Sequence, residues 1–160
     1  MTDRSALERA FARNDDFVET DAGYTVATAT LDSTVRLDPP TIEVAVHMPT
    51  LTAVVTDGPI AEIVHREWAK TLSRRLQDGG DVVAGTVLAD PVIEESLEQI
   101  TVSYRLRTDS PAQAVKDAKA LVEFVVGTYV QGAIPGYSYD EPLAGLLANA
   151  RHRAQEHPRD

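Results

Sequence analysis

Polar and apolar residues alternate strictly from Thr41 to Met48 and again from Ile100 to Leu106. The first stretch puts Ile42, Val44, Val46 and Met48 on one face of a strand, against Glu43, Ala45 and His47 on the other. The second puts Ile100, Val102, Tyr104 and Leu106 inward, against Thr101, Ser103, Arg105 and Arg107. A period of two with one polar face predicts an antiparallel sheet that is wet on one side.

Earlier in the chain, Phe17 to Thr20 and Tyr24 to Leu31 read as two strands around the turn Asp21-Ala22-Gly23, with Tyr24, Val26 and Thr28 sharing a face. Asp32-Ser33 interrupts before a strand from Thr34 to Leu37, and Asp38-Pro39-Pro40 breaks the ladder because proline lacks an N–H donor. Residues 82 to 88 and 92 to 95 read as strand segments, weakened by Gly85 and Asp90-Pro91.

The period changes to that of a helix in four places. Residues 5 to 13 form a short amphipathic helix with Ser5 and Glu8 in capping-box spacing and Leu7, Ala10 and Phe11 on one face. Asp57-Gly58-Pro59 opens a second helix running to about Leu76, with Ile60, Ile63, Val64, Trp68, Leu72 and Leu76 on one stripe, and Gln77 to Gly80 ends it. Ser110-Pro111-Ala112-Gln113 supplies an N-cap, a proline at the first helical position and a capping-box partner. The helix it starts is apolar around nearly its whole circumference from Leu121 to Val130, so both sides need cover. The expected second cover is a C-terminal helix from about Glu141 to Glu156, with Leu143, Leu146, Leu147, Ala150 and Ala154 at helical spacing. The last residues, His157 to Asp160, are expected to fray.

The pattern predicts an α+β fold of one domain: an antiparallel sheet flanked by helices, a core over residues 5 to 131, and an appended loop and helix over 132 to 157. With 160 residues, one core of ordinary size suffices without covalent staples.

Charge narrows the classes of function. Twenty-five acidic residues outnumber fifteen basic ones, twelve of them Arg, for a net charge of -10. Such a balance opposes phosphate backbones, and the Arg clusters at 74 and 75, 105 and 107, and 151 and 153 read as solvated faces, so no nucleic-acid partner is expected. The scarcity of Lys fits a salt-rich cytoplasm, since short acids hold water with little exposed hydrocarbon. Crowding of Asp15, Asp16, Glu19 and Asp21 predicts that molar salt stabilises the fold and that neutralising Asp15, Asp16 and Asp21 does so at low salt. The absence of Cys excludes disulfides and thiolate sites, and no apolar run approaches a membrane span, so a cytoplasmic chain without a membrane partner is expected.

Candidate chemistry is thin. His65 has Glu62 three residues before it, His47 points outward, and His152 and His157 stand five apart; none makes the converging set a metal needs, so no metal and no cofactor is expected. Ser138 in GYSYD is not a nucleophile elbow, Gly79-Gly80 follows a helix instead of starting one, and paired acids such as Asp15-Asp16 read as solvation. No catalytic residue is assigned, and an enzyme is the less favoured reading. Tyr137 and Tyr139 flank Ser138 between two apolar helices, either stapling the last helix or contacting a ligand at its mouth.

The order of elements, with ALERAFARNDDFVETDAGYTV running from an amphipathic helix straight into a hairpin, resembles the type III secretion chaperone-like fold over residues 5 to 131. Composition is also similar to that of small uncharacterised proteins of haloarchaea. The chaperone resemblance implies binding of protein segments, often with dimerisation through the sheet or the second helix. The leading expectation is therefore a non-enzymatic interaction or regulatory domain with a protein partner or a second copy. The alternative is a small-ligand domain, or an enzyme of unrecognised type, with a pocket between the sheet and the Ser110 helix lined by Trp68, Tyr104 and Tyr129.

Overall fold

A computed structural model describes residues 3–156. The expected fraying of His157 to Asp160 and the place of the Ala154 side chain fall outside what is described. The sheet is antiparallel throughout: β1 (Phe17–Thr20), β2 (Gly23–Val26), β3 (Asp32–Asp38) and β4 (Thr41–Pro49) follow in order, β7 (Gln99–Arg107) lies beside β4, and β5 (Thr86–Val87) and β6 (Val92–Glu95) share the outer side of β7. Five α-helices accompany it: α1 (Arg4–Arg13), α2 (Leu51–Val54), α3 (Glu62–Leu76), α4 (Pro111–Gln131) and α5 (Leu143–Glu156).

β4 and β7 form the centre because their alternation is longest. Val44 faces Tyr104, Val46 faces Val102 and Ile42 faces Leu106, and all six are buried. Thr34, Ala45 and Ser103 sit at alternate positions and stay half-buried on the wet face. The α4 helix lies on the apolar face, with Ala114, Ala118, Leu121, Val122 and Val125 buried. Leu143 and Leu146 of α5 join the same core, which supplies the second cover that the apolar girth of α4 requires.

Several boundaries differ from the sequence reading, each for a local reason. The cap of α1 is Asp3, whose carboxylate accepts the Ala6 N–H at 2.7 Å, so Ser5 falls inside the helix. β2 stops at Val26 and β3 starts at Asp32, because Ser33 is used in pairing: its hydroxyl accepts the Val26 N–H at 3.1 Å. The second long helix starts at Glu62, not at Asp57, after a separate single turn, α2, capped by the Thr50 hydroxyl. Ile60 thus lies outside the helix. Residues Gln77–Val82 continue as a 3-10 turn, and of the expected 82 to 88 strand Thr86–Val87 pair with β7 and Leu88 adds one N–H bond to the Arg105 carbonyl. Ser110 does cap α4 through the Gln113 N–H, but the Gln113 amide turns to Asp117.

β5 and β6 are one edge with a break. Val87 faces Leu106 and Val92 faces Ser103, so five steps along the edge match three along β7, and two extra residues fall around Ala89-Asp90-Pro91. Such an insertion kinks an edge strand.

Candidate functional site

Among the described residues the seam between sheet and α4 is filled. Tyr104 and Tyr129, expected in the wall of a pocket there, are packed into the core. Both rings are only 1% exposed, and their hydroxyls donate to distant backbone carbonyls: Tyr104 to Leu76 at 2.7 Å and Tyr129 to Pro49 at 3.0 Å. Burial, with Asp78 adding for Tyr104 and Tyr139 for Tyr129, pushes both phenols well above their ordinary range. These tyrosines anchor the core.

Trp68 and Tyr137 do come together, one layer further out. They line an open groove of about 510 Å³ between α3 and the C-terminal turn of α4. Ile63, Val64, Glu67, Trp68, Thr71, Leu72 and Arg75 form its α3 wall, at intervals of one, four, five, eight, nine and twelve residues from Ile63, which is one stripe of an α-helix. Thr128, Gln131, Gly132 and Ile134 face it. The stripe that reads as a core face in sequence is thus split. Leu72 and Trp68 are buried in the floor, whereas Ile63 stands 58% exposed at the lip because the helix begins too late for Ile60 to continue the row.

Gly132 packs against the floor. A Cβ there would lie 3.2 Å from Trp68 Nε1, so the indole edge sits closely against the α4 terminus and a side chain at 132 would make it shift by a few tenths of an ångström. On the other side of α3, His65 lies 5.9 Å from the Trp68 ring and bridges Thr52 Oγ1, 2.6 Å from Nδ1, to Glu95 Oε1, 3.3 Å from Nε2. This bridge ties α2, α3 and β6 together and holds Trp68 from behind.

Tyr139 lies away from the groove. Its hydroxyl donates to the Ile134 carbonyl at 2.8 Å and accepts the Ile134 N–H at 2.9 Å. Burial raises its phenol above the ordinary range, partly offset by that backbone bond. The loop around it zips onto residues 54 to 57: Asp140 N–H donates to the Val54 carbonyl, Thr56 N–H to Ser138, and Ser138 N–H to the Asp57 carboxylate. Tyr139 therefore staples the loop that carries Tyr137 to the groove.

A larger cleft of about 890 Å³ separates α1 from the β3–β4 hairpin, but its lining mixes signs. Arg4, Arg9, Arg36 and Arg105 face Glu8, Glu19, Asp21, Asp38 and Glu43, and Arg105 pairs with Asp38 at 3.2 Å. Four basic residues against five acidic ones leave its lining nearly balanced in charge. Among the described residues no group of three or more His, Asp or Glu could hold a metal ion. No described helix is long and apolar enough to cross a membrane.

Comparison with known proteins gives one match. The family described as "Family of unknown function (DUF5813)" covers residues 10–149, and the chain belongs to it. No curated protein and no solved structure matches the chain, and the expected resemblance to type III secretion chaperones is not confirmed.

Proposed function

We propose, for this member of a family of unknown function, that the chain is a protein-interaction domain that receives an apolar segment of a partner in the groove along α3. The observation that carries the reading is Ile63, a large apolar side chain held 58% exposed at the end of a trough floored by Trp68 and Leu72. From Ile63 to Arg75 the trough follows twelve steps of helix, about 18 Å at ~1.5 Å per residue. That is the reach of an amphipathic helix laying one apolar row into a groove. A small-molecule site would enclose most of its ligand, whereas this groove is open. Glu67 and Arg75 give its rim one charge of each sign to orient the segment. The resemblance of the helix-into-hairpin opening to type III secretion chaperones is in keeping with the same reading. The net charge of -10 supports a salt-rich cytoplasm of the haloarchaeal kind as the place of action.

A photoreactive residue placed at position 63, with a second at the comparably exposed Val18, tests the reading in native extract. The expected result is one discrete adduct from position 63, absent from position 18 and lost when unmodified protein competes. Absence of an adduct at 63, or the same adducts at both positions, would overturn it.

A further inference from the structure

The β5–β6 edge carries a second feature, independent of the groove. Among the described residues, three of the six large apolar side chains that stay exposed, Leu88, Val92 and Leu97, lie on or beside this edge, so exposed hydrocarbon is gathered there. Asp90, Glu94, Glu95 and Glu98 are interleaved with them. No described strand pairs with the outer side of β6.

The backbone there is open at defined residues. Ser96 N–H donates to the Gln99 carbonyl at 2.8 Å, which makes 96 and 99 a bonded pair. Antiparallel alternation then makes Glu94 with Thr101, and Val92 with Ser103, the bonded pairs of the ladder. Ile93 and Glu95 consequently turn their N–H and C=O groups away from β7, toward the free edge. Their side chains share the helix-side face with Val102 and Ile100, while Val92 and Glu94 share the wet face with Ser103 and Thr101.

We infer that β6 takes an added strand from a partner protein: an extended segment with two basic residues followed by two apolar ones, antiparallel to β6. In that register the basic pair lies beside Glu95 and Glu94 and the apolar pair beside Ile93 and Val92, one of each on either face. Main-chain bonds at Ile93 and Glu95 supply the attachment and the side-chain pairs select the sequence. A second copy of this chain fits poorly, because two such edges would bring four glutamates into one short ladder.

The test is an NMR titration of the full ¹⁵N-labelled chain with a capped peptide holding two lysines followed by two valines, against a control with glutamate for lysine. The lysine peptide should shift the Ile93 and Glu95 amides and slow their hydrogen exchange. The glutamate peptide should bind roughly tenfold more weakly, given two reversed cross-strand charge pairs. The variant Glu94→Lys, which leaves the contact between Glu95 and His65 in place, should shift that preference toward the glutamate peptide. Unchanged Ile93 and Glu95 amides at millimolar peptide, or equal binding of the two peptides, would overturn the inference. Protection of those amides that grows with protein concentration alone would overturn it in favour of a second copy. Neither peptide should move Ile63, which makes no contact with this edge, so failure here is distinct from failure at the groove.

Discussion

The buried Asp117 carboxylate clamps the backbone at Gly85: Oδ2 accepts the Gly85 N–H at 2.9 Å while Oδ1 accepts that of Ala84 at 3.0 Å. Gln113 Nε2 adds a third donor at 2.7 Å. One residue of α4 thereby fixes the connection between the 3-10 turn and the β5 edge. A buried carboxylate so fully used predicts that Asp117→Asn, which turns one acceptor into a donor facing an N–H, loses about 1–3 kcal/mol. Urea unfolding of the variant checks this, and a loss below about 0.5 kcal/mol would show that the clamp is dispensable.

Gly85 is the other half of the clamp. A Cβ there would stand 2.5 Å from the Arg107 carbonyl oxygen and 2.9 Å from Asp117 Oδ2, both on constrained atoms. Gly85→Ala should therefore push β5 off β7, lowering the thermal midpoint and speeding exchange of the Leu88 amide, which donates to the Arg105 carbonyl at 3.0 Å. An unchanged midpoint would contradict the packing described.

Alkaline pH probes the core directly. Tyr104 and Tyr129 are raised far above the ordinary value near 10, chiefly by burial. Above about pH 10 the unfolded chain therefore binds fewer protons than the native one, and stability falls as pH rises. Below that pH both states keep the phenols neutral and the contribution is flat. Absorbance at 295 nm should show these two tyrosines ionising only together with unfolding, and Tyr104→Phe should make the alkaline fall shallower. Ionisation of all five tyrosines before any loss of native circular dichroism would contradict their placement.

Salt should act unevenly on the acids near the first hairpin. Asp15 and Asp21 are exposed, whereas Asp16 accepts from Lys119 Nζ at 2.8 Å and links the end of α1 to α4. The Asp16 partner holds the Lys119 ammonium above its ordinary range. Asp16 thus does not belong with the residues whose neutralisation relieves repulsion. Asp15→Asn with Asp21→Asn should raise the thermal midpoint at ~0.1 M KCl, where the Debye length is about 10 Å, and shrink the gain seen at molar salt. Asp16→Asn should lower it. Equal effects from all three would show that pairing with Lys119 contributes nothing.

What was legible in the sequence is what local pattern decides. Strict alternation marks β4 and β7, and the Ser110-Pro111 start marks α4, because faces and caps are set within a few residues. What was not legible depends on contacts across the chain. Asp57-Gly58-Pro59 has the form of a helix start, but the Asp57 carboxylate is taken by the Ser138 N–H, 81 positions away, and the helix waits until Glu62. Trp68, Tyr104 and Tyr129 looked alike as ring-bearing pocket residues. Two of them proved to be core anchors only because Leu76 and Pro49 present carbonyls to their hydroxyls. Tyr137 reaches the groove of Trp68 because its loop docks on residues 54 to 57, through tertiary bonds such as Asp140 N–H to the Val54 carbonyl that residue order does not announce. Asp117, one acid among twenty-five, carried no signal beyond its place on the buried side of α4.

The central claim is that the α3 groove holds a partner's apolar segment, and Trp68, the only tryptophan, reports on it from the groove floor. The most direct measurement is its fluorescence emission as the partner captured at position 63 is titrated into the full chain. The account predicts a saturable change in its emission intensity as the segment packs against the already buried indole. It also predicts that Ile63→Asp weakens this binding at least about tenfold, the loss of one buried Ile contact, while leaving the thermal midpoint nearly unchanged because position 63 is exposed. A partner that binds with Trp68 emission unmoved, and as tightly to Ile63→Asp as to the parent, would contradict it.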